Sequence, residues 1–335
     1  MRTIRIVHRL CRCASRIPSM DHRPIVDPGR RRFAAAASSL CALPLLLAHG
    51  CATHAPSVAP IGIDTADAPL PQPLAAFAAG RTDFDFILLG EVHDHPLQHR
   101  LRRQWLDEIA RNRRFVLAME QFDADRQPDI DRARTGALSA RALAEAAGFQ
   151  FNGWDWELYA PFVELALRRE LPLVGANLST SQARSIARGA AHPMSAAIPP
   201  GWTREDEELQ ASDIRDGHCG MLPASVIAPM SAAQRARDAT IAQAIADARR
   251  ASGLPVILLA GNGHVRGDLG VPRYLRALMP QACLLSVGIV ERAAAAQAGP
   301  STGARDGSFD LRIETPRHPR PDPCEAFRRR PSASG

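Results

Sequence analysis

Short apolar runs alternate along the chain with longer stretches in which apolar residues recur every three or four positions. Continuous apolar runs of roughly four to eight residues are typical of strands buried on both faces of a parallel sheet. We therefore predict five such strands and a sixth, edge strand at Phe309–Ile313. The five strands are Phe84–Leu89, Arg114–Met119, Leu173–Ala176, Val256–Ala260 and Cys283–Val290.

The periodic stretches between these runs predict helices. They lie at Pro96 to about Arg111, within 128–147, and at Tyr159–Arg169, Met230–Arg250 and Val271–Leu278. Alternation of strands and helices favours an α/β fold, with a mainly parallel sheet flanked by helices. Residues 179–253 carry no strand pattern, so we expect a smaller helical subdomain inserted there.

The N-terminal 50 residues have the pattern of an export leader. A basic segment at Arg30–Phe33 precedes an apolar stretch to Ala48, which is too short to span a membrane but fits a signal peptide. Cys51 follows a small residue, as in a bacterial lipobox, and we expect it to be lipidated. A plain secretory signal is the alternative, and the start (Met1 or Met20) and the route (Sec or Tat) stay open.

The rest of the chain divides by composition. Residues 51–76 are rich in Ala and Pro and are expected to form a flexible, lipidated tether. Residues 77–315 form the α/β domain, and residues 316–335 are expected to be a disordered tail. Most of the positive charge lies in the leader, where nine Arg face two Asp, so nucleic-acid binding is not expected. Three cysteines remain in the body, Cys219, Cys283 and Cys324, and they allow at most one disulfide.

Ionisable side chains follow three of the predicted strands. Glu91 and His93 come after the first strand, Glu120 after the second, and His264 after Gly261-Asn262-Gly263. Because ligands bind at the carboxyl ends of parallel strands, these four residues could converge on one site. Carboxylates with imidazoles suit either a divalent metal or general acid–base chemistry. We expect the two glycines beside His264 to allow positive φ and close approach of a ligand.

Several well-known sites are absent from the sequence. The spacing of Gly261 and Gly263 fits neither of the nucleotide-phosphate motifs GxGxxG and GxxxxGK. The catalytic motifs GxSxG and HExxH do not occur either. No evident nucleophile accompanies the four residues, which leaves water activation as the catalytic option. Imidazole and phenolate also ligate haem iron, and Tyr159 and Tyr274 are the two tyrosines of the chain.

The chain resembles the ChaN-like haem-binding lipoproteins of the haem-uptake, Tiki and erythromycin-esterase superfamily. The resemblance covers roughly residues 80–325. The segments that carry it are Leu89–Asp94, Met119–Phe122, Trp154–Trp156, Tyr159–Pro161, Gly175–Asn177, His218–Gly220, Ala233–Asp238, Gly261–Arg266, Gly270–Pro272 and Asp322–Glu325. It implies an α/β core with a small helical domain, haem binding at the outer membrane and a homodimer with haem in its interface. In the wider superfamily, the positions of Glu91, His93, Glu120 and His264 look like a catalytic or metal-binding quartet.

Two hypotheses follow. The first is an outer-membrane lipoprotein, facing the periplasm or the surface, that binds b-type haem for iron uptake and could pass it to or from an outer-membrane receptor. Its candidate haem contacts are Tyr159, Tyr274, His93 and His264, in no settled order. The second is a hydrolase that uses Glu91, His93, Glu120 and His264, with or without a divalent metal. We favour the binding protein over the enzyme.

Overall fold

A seven-stranded parallel sheet forms the centre of the fold. The structure is a computed structural model, and it describes residues 59–136, 139–196, 198–292 and 307–328. The strands run in the spatial order β1-β7-β6-β2-β5-β3-β4, and every neighbouring pair is parallel. They are β1 (Ile61–Gly62), β2 (Phe86–Leu89), β3 (Val116–Asp123), β4 (Leu173–Asn177), β5 (Val256–Leu259), β6 (Leu284–Glu291) and β7 (Leu311–Thr315).

Helices connect the strands and cover both faces of the sheet. They are α1 (Gln72–Ala78), α2 (Pro96–Asn112), α3 (Gln127–Gly136), α4 (Ala140–Ala146), α5 (Trp156–Arg168), α6 (Thr180–Ala187), α7 (Arg204–Gly217), α8 (Ala224–Ser252), α9 (Asn262–Val265), α10 (Val271–Leu278) and α11 (Pro323–Arg328). Short 3₁₀ turns lie at Ala124–Arg126 and Pro193–Ala196. Local sequence sets many ends: Ser179 and Thr203 begin α6 and α7 with capping boxes, and Gly253 ends α8 in the left-handed conformation.

The central strands are apolar on both faces because both faces are covered. In β2, Ile87 and Leu89 pack into the cluster formed with α1, α2, α4 and α5, whereas Phe86 and Leu88 pack with α8 and α10. All four side chains are fully buried. Burying such a side chain contributes roughly 1.5–3 kcal/mol, so the two clusters hold the strand ends, and the residues that follow them, in fixed positions.

The α/β class predicted from the sequence is confirmed, and the long strand-free stretch does hold helices α6 to α8. Two strands, β3 and β7, differ from the prediction in extent and in position in the sheet, respectively. β3 continues past Met119 to Asp123, so Glu120 lies inside the strand, and its pairing with β4 shifts register between Met119 and Asp123. β7 pairs with β1 on its outer side and is therefore not the edge strand that the sequence predicted.

The expected tether is in part folded onto the domain. β1 pairs with β7 at Ile61↔Ile313, and Ile63 and Leu70 are buried among core residues. A helix, α1, begins at Gln72 and buries Leu74 and Phe77 completely. The apolar residues of this segment thus override its Pro-rich composition. The leader and Cys51 lie outside the described residues. Within the described ranges, no helix is both long enough and apolar enough to cross a bilayer.

Part of the expected disordered tail is also folded. A disulfide joins Cys219, in the turn between α7 and α8, to Cys324 in α11. On the N-terminal side of Cys324, Arg320 forms ion pairs with Glu291 and Asp94. His95 donates a hydrogen bond from Nε2 to the carbonyl of Pro316. Residues 316–320 are therefore held beside the loop that follows β2, and α11 is tied to the turn between α7 and α8.

Removal of the disulfide should destabilise the protein. The bridge closes a loop with a sequence separation of 105 residues, and a crosslink of this kind typically contributes about 2–4 kcal/mol by restricting the unfolded chain. We expect the Cys219→Ser/Cys324→Ser variant to lose about that free energy of unfolding in urea. Wild-type protein in reductant should match the variant, and Cys283→Ala serves as the control for loss of a thiol. Superimposable unfolding curves for oxidised wild type and double variant would contradict this prediction.

Candidate functional site

Four side chains from three neighbouring strands meet at the carboxyl edge of the sheet. β2, β5 and β3 are adjacent, and they deliver Glu91 and His93, His264, and Glu120 respectively. The structure therefore brings the four residues named from the sequence to one place. We refer to Glu91, His93, Glu120 and His264 as the quartet.

Glu91 is a buried carboxylate held by four partners. Tyr159 donates its hydroxyl to Oε1 at 2.8 Å, and His93 donates Nδ1–H to the same oxygen at 2.9 Å. Oε2 receives Arg102 and, at 2.9 Å, Nε2 of His99. Burial alone would raise the pKa of Glu91, but the charge of Arg102 and the hydrogen bonds from His93 and His99 hold it far below the usual range. Glu91 is therefore a fixed anion and not a base that accepts protons near neutrality.

His93 is the exposed member of the quartet. Its side chain is 47% exposed, and its ring packs edge-on against Trp154, with ring centroids 4.9 Å apart. A Cβ on Gly261 would lie 2.7 Å from Cε1 of His93, so glycine makes room for the ring. Neither Gly261 nor Gly263 has the positive φ expected from the sequence. Burial lowers the pKa of His93, but the charges of Glu120 and Glu91 outweigh it and raise the pKa overall.

His264 lies between two carboxylates. Its Nδ1 donates to Asp238 at 2.6 Å, and its Nε2 is 3.4 Å from Glu120. Burial opposes the charged imidazolium, yet the charges of Glu120 and Asp238 raise the pKa of His264 to about 10. Glu120 also accepts the backbone N–H of Gly261 at 2.7 Å, and the two histidines lower its pKa to about 2 despite burial. At neutral pH this part of the site is a charged, hydrogen-bonded chain.

Sequence reasoning did not assign three of these partners to the site. Arg102 and His99 lie on α2, and Asp238 lies on α8, and all three are buried. Asp238 falls within the segment Ala233–Asp238 that carries the family resemblance, which was the available signal. Arg102 and His99 follow the quartet's first loop on the face of α2 that also bears Trp105, so helical spacing could have placed them inward.

The two tyrosines do not lie at the exposed part of the site. Tyr159 is fully buried, and its hydroxyl is committed to Glu91. Tyr274 is buried on α10, and its hydroxyl has no partner among the described residues. Burial raises the pKa of both phenols, further in Tyr159, where the charge of Glu91 acts as well. Both side chains are therefore neutral phenols.

A polar cavity of about 270 Å³ opens beside the quartet. Glu120 and His264 line it, together with Trp154 and Arg237. Neutral amides complete much of the wall: Gln121, Gln150, Asn177 and Gln234. We call this the polar cavity. In the part of the chain that the structure describes, no three His, Cys, Asp or Glu side chains are placed to hold a metal ion together.

His264 should make stability depend on pH. Its pKa rises from about 6.5 to about 10 on folding, so its contribution is fully present below about pH 6.5 and is lost as the pH rises toward 10. One such proton gives a slope of at most about 1.4 kcal/mol per pH unit. We expect the free energy of unfolding in urea to fall across this window, and His264→Gln to reduce the slope. Equal slopes in the two proteins would contradict the assignment.

Comparisons with known proteins place the chain in a family. A family model described as haem-binding uptake, Tiki superfamily, ChaN matches residues 78–275. A structure described as "Cofacial heme binding to ChaN of Campylobacter jejuni" matches with a TM-score of 0.58 and 21% identity, over 68% of this chain and 88% of that chain. An erythromycin esterase EreC mutant in its open conformation matches with a TM-score of 0.38 and 11% identity, over 69% and 77%. No curated protein matches the sequence. Because the family model spans more than half of the chain, the protein belongs to the ChaN family of the haem-binding uptake, Tiki superfamily.

Proposed function

We propose that this protein binds haem and that His93 would be the residue that holds the iron. The observation that carries the proposal is the state of the His93 ring. Nδ1 donates to Glu91, so in the neutral ring Nε2 carries the free lone pair, and no hydrogen bond within the described residues occupies it. The side chain is also half-exposed, so a ligand can reach Nε2 from outside.

The other three candidates are less suitable as ligands. Both nitrogens of His264 face carboxylates, and its pKa of about 10 keeps it protonated at neutral pH. Tyr159 would have to leave Glu91, and Tyr274 is covered by the helices around it. A protonated imidazole or a neutral, buried phenol is a poor iron ligand, because the metal requires a free lone pair.

Glu91 fits the role of the group that orients an iron ligand. A histidine that binds metal usually donates its second ring nitrogen to a carboxylate or carbonyl, which fixes the tautomer and makes the ligand more basic. Glu91 does this for His93 and is itself fixed by Arg102, His99 and Tyr159. The haem iron would supply the ligand-binding and redox chemistry, and the chain would supply the orientation.

The polar cavity does not enclose the haem. Its volume of about 270 Å³ is below the roughly 300–1,000 Å³ of pockets that enclose drug-sized ligands. We therefore assign the porphyrin contacts to the exposed side of His93 and Trp154. A face open to solvent would be covered by a second copy of the chain, so that a homodimer encloses the haem.

The sequence bears both on how the haem would be held and on where the protein would act. The chain has no Cys-x-x-Cys-His motif, so the haem would be b-type and held without a covalent bond. We propose export, lipidation at Cys51, anchoring at the outer membrane and exchange of haem with a receptor there during iron uptake. Incorporation of a labelled fatty acid that is lost in Cys51→Ala tests the anchor.

Titration with hemin tests the ligand. We expect a saturable Soret band in the wild type, with loss of the histidine-ligated spectrum in His93→Ala. Glu91→Gln should bind about 10–100-fold more weakly, since it loosens the orientation of His93. Absorbance titration of each variant gives the spectrum and the affinity, and circular dichroism shows whether the variant is folded.

Matched controls separate ligation from folding. His192→Ala removes a half-exposed imidazole outside the quartet, and Tyr159→Phe and Tyr274→Phe remove the phenols. Wild-type spectra are expected from His192→Ala and Tyr274→Phe. A wild-type Soret band in folded His93→Ala, or its loss in Tyr274→Phe, would contradict the assignment.

Hydrolysis is the second candidate function. The observation that favours it is the exposed His93, oriented by Glu91 and facing the Glu120–His264–Asp238 chain. This arrangement has a base and a group that orients the base. His93 would take a proton from water as the water attacks, without a covalent intermediate. A divalent metal would require donors beyond those that the described residues bring together.

Hydrolysis can be tested in the absence of hemin. If the quartet is catalytic, the wild type should cleave members of an ester and amide panel, and His93→Ala should be slower by about 10²–10⁴-fold, the usual contribution of a general base. Glu120→Gln keeps the shape of the side chain and should also lose activity, whereas His192→Ala should retain it. Release of p-nitrophenol and of labelled peptides gives the rates. Equal rates in wild type and His93→Ala would exclude this function.

A further inference from the structure

Gln121 is a buried amide without hydrogen-bond partners. It is 3% exposed, it lines the polar cavity, and neither its amide nitrogen nor its amide oxygen has a partner among the described residues. Each unsatisfied buried group costs roughly 1–3 kcal/mol. Gln121 lies where β3 shifts register against β4, between Met119 and Asp123, and such bulges commonly redirect side chains at ligand sites. A costly amide at this position indicates a partner that enters the cavity.

The charges that line the polar cavity compensate one another. Glu120 is paired with His264, and the electrostatic partners of Arg237 include Glu120 and Asp123. Arg237 also donates from Nη1 to the side chain of Asn177 at 2.8 Å and to the carbonyl of Leu178 at 2.9 Å. Because two acidic and two basic side chains line the wall, the cavity offers no excess charge to select an ion.

The remaining lining is neutral and can both donate and accept hydrogen bonds. Gln121 and Gln150 contribute amides, and Thr180 contributes a hydroxyl beside the amide of Asn177. No hydrogen bond to a described residue engages the side-chain amide of Gln150 or the hydroxyl of Thr180. Trp154 adds an apolar surface. Hydroxyl groups on a ligand complement this set, since each one also donates and accepts.

We propose that the polar cavity binds a small, neutral ligand that carries several hydroxyl groups, such as a single sugar ring. Gln121 supplies the buried donor and acceptor, Gln150 and Thr180 bind further hydroxyls, and Trp154 packs against the carbon skeleton. The volume of about 270 Å³ limits the ligand to about one ring. This inference goes beyond the proposed function, because it involves neither iron nor the free nitrogen of His93.

Three sugars that differ in charge test the proposal on hemin-free protein. D-glucose is neutral, D-glucuronate is an anion and D-glucosamine is a cation. Ligand-observed NMR should show saturable binding of D-glucose and weaker binding of the two charged compounds. Gln121→Leu should weaken D-glucose binding by about tenfold or more, since two hydrogen bonds are lost. Gln243→Leu, on the outer part of α8, is the matched control and should bind as the wild type does.

The ligand-free stability of Gln121→Leu provides a second readout. If the amide exists for a ligand, its replacement by an apolar side chain of similar size should raise the melting temperature by about 2–4 °C. A structural amide would give the opposite sign. Thr180→Val tests the same cavity from its edge if Gln121→Leu does not fold, and it too should weaken binding.

Three results would overturn the proposal: no saturable binding of D-glucose, tighter binding of either charged analogue, or unchanged binding in folded Gln121→Leu. Hemin titration of the same preparations distinguishes a failure of the sugar proposal from a failure of the haem proposal. Gln121→Leu should still give the wild-type Soret band, because the amide of Gln121 forms no hydrogen bond with His93 or with its partner Glu91.

Discussion

A carboxylate that is almost completely buried, that of Glu91, is the constraint around which the site is built. A charge in this position is tolerated only when it is paired and hydrogen-bonded. Arg102 and His99 from α2, Tyr159 from α5 and His93 from its own loop supply those partners. Loss of one partner of a buried charge typically costs about 3–5 kcal/mol. The same interactions that satisfy Glu91 therefore hold two helices against the end of β2 and fix the ring of His93.

The quartet divides into two halves with different chemistry. Glu91 and His93 form an oriented imidazole with one free nitrogen that faces outward. Glu120, His264 and Asp238 form an inner chain in which the imidazole is charged and both nitrogens are engaged. Only the outer half has an exposed ring nitrogen that no carboxylate engages. The inner half sets the electrostatic surroundings, because the charge of Glu120 raises the pKa of His93 while that of His264 lowers it. The two proposed functions, haem binding and water activation, use the same nitrogen of His93, which is why variants of His93 test both.

The sequence predicted the α/β alternation and the meeting of the quartet because both follow from local pattern. Buried parallel strands are apolar throughout, and their ends lie on one edge, so residues such as Glu120 and His264 could be placed together without coordinates. Burial of Asp238 could not be predicted in this way. A charged residue in a helical pattern is usually solvated, and Asp238 is buried because its partner His264 arrives from another element. For the same reason β1 and the segment after Pro316 were expected to be flexible. Their order depends on pairing with β7 and on the Cys219–Cys324 disulfide, and the partner of a cysteine is not encoded by local sequence.

Resonance Raman spectroscopy of the haem-loaded wild-type protein tests the central claim most directly. The account predicts an iron–histidine stretching mode in the reduced protein that disappears in His93→Ala and persists in Tyr274→Phe. Phenolate modes in the oxidised wild-type protein, lost in Tyr159→Phe or Tyr274→Phe, would instead assign the iron to a tyrosine and contradict the role given to His93.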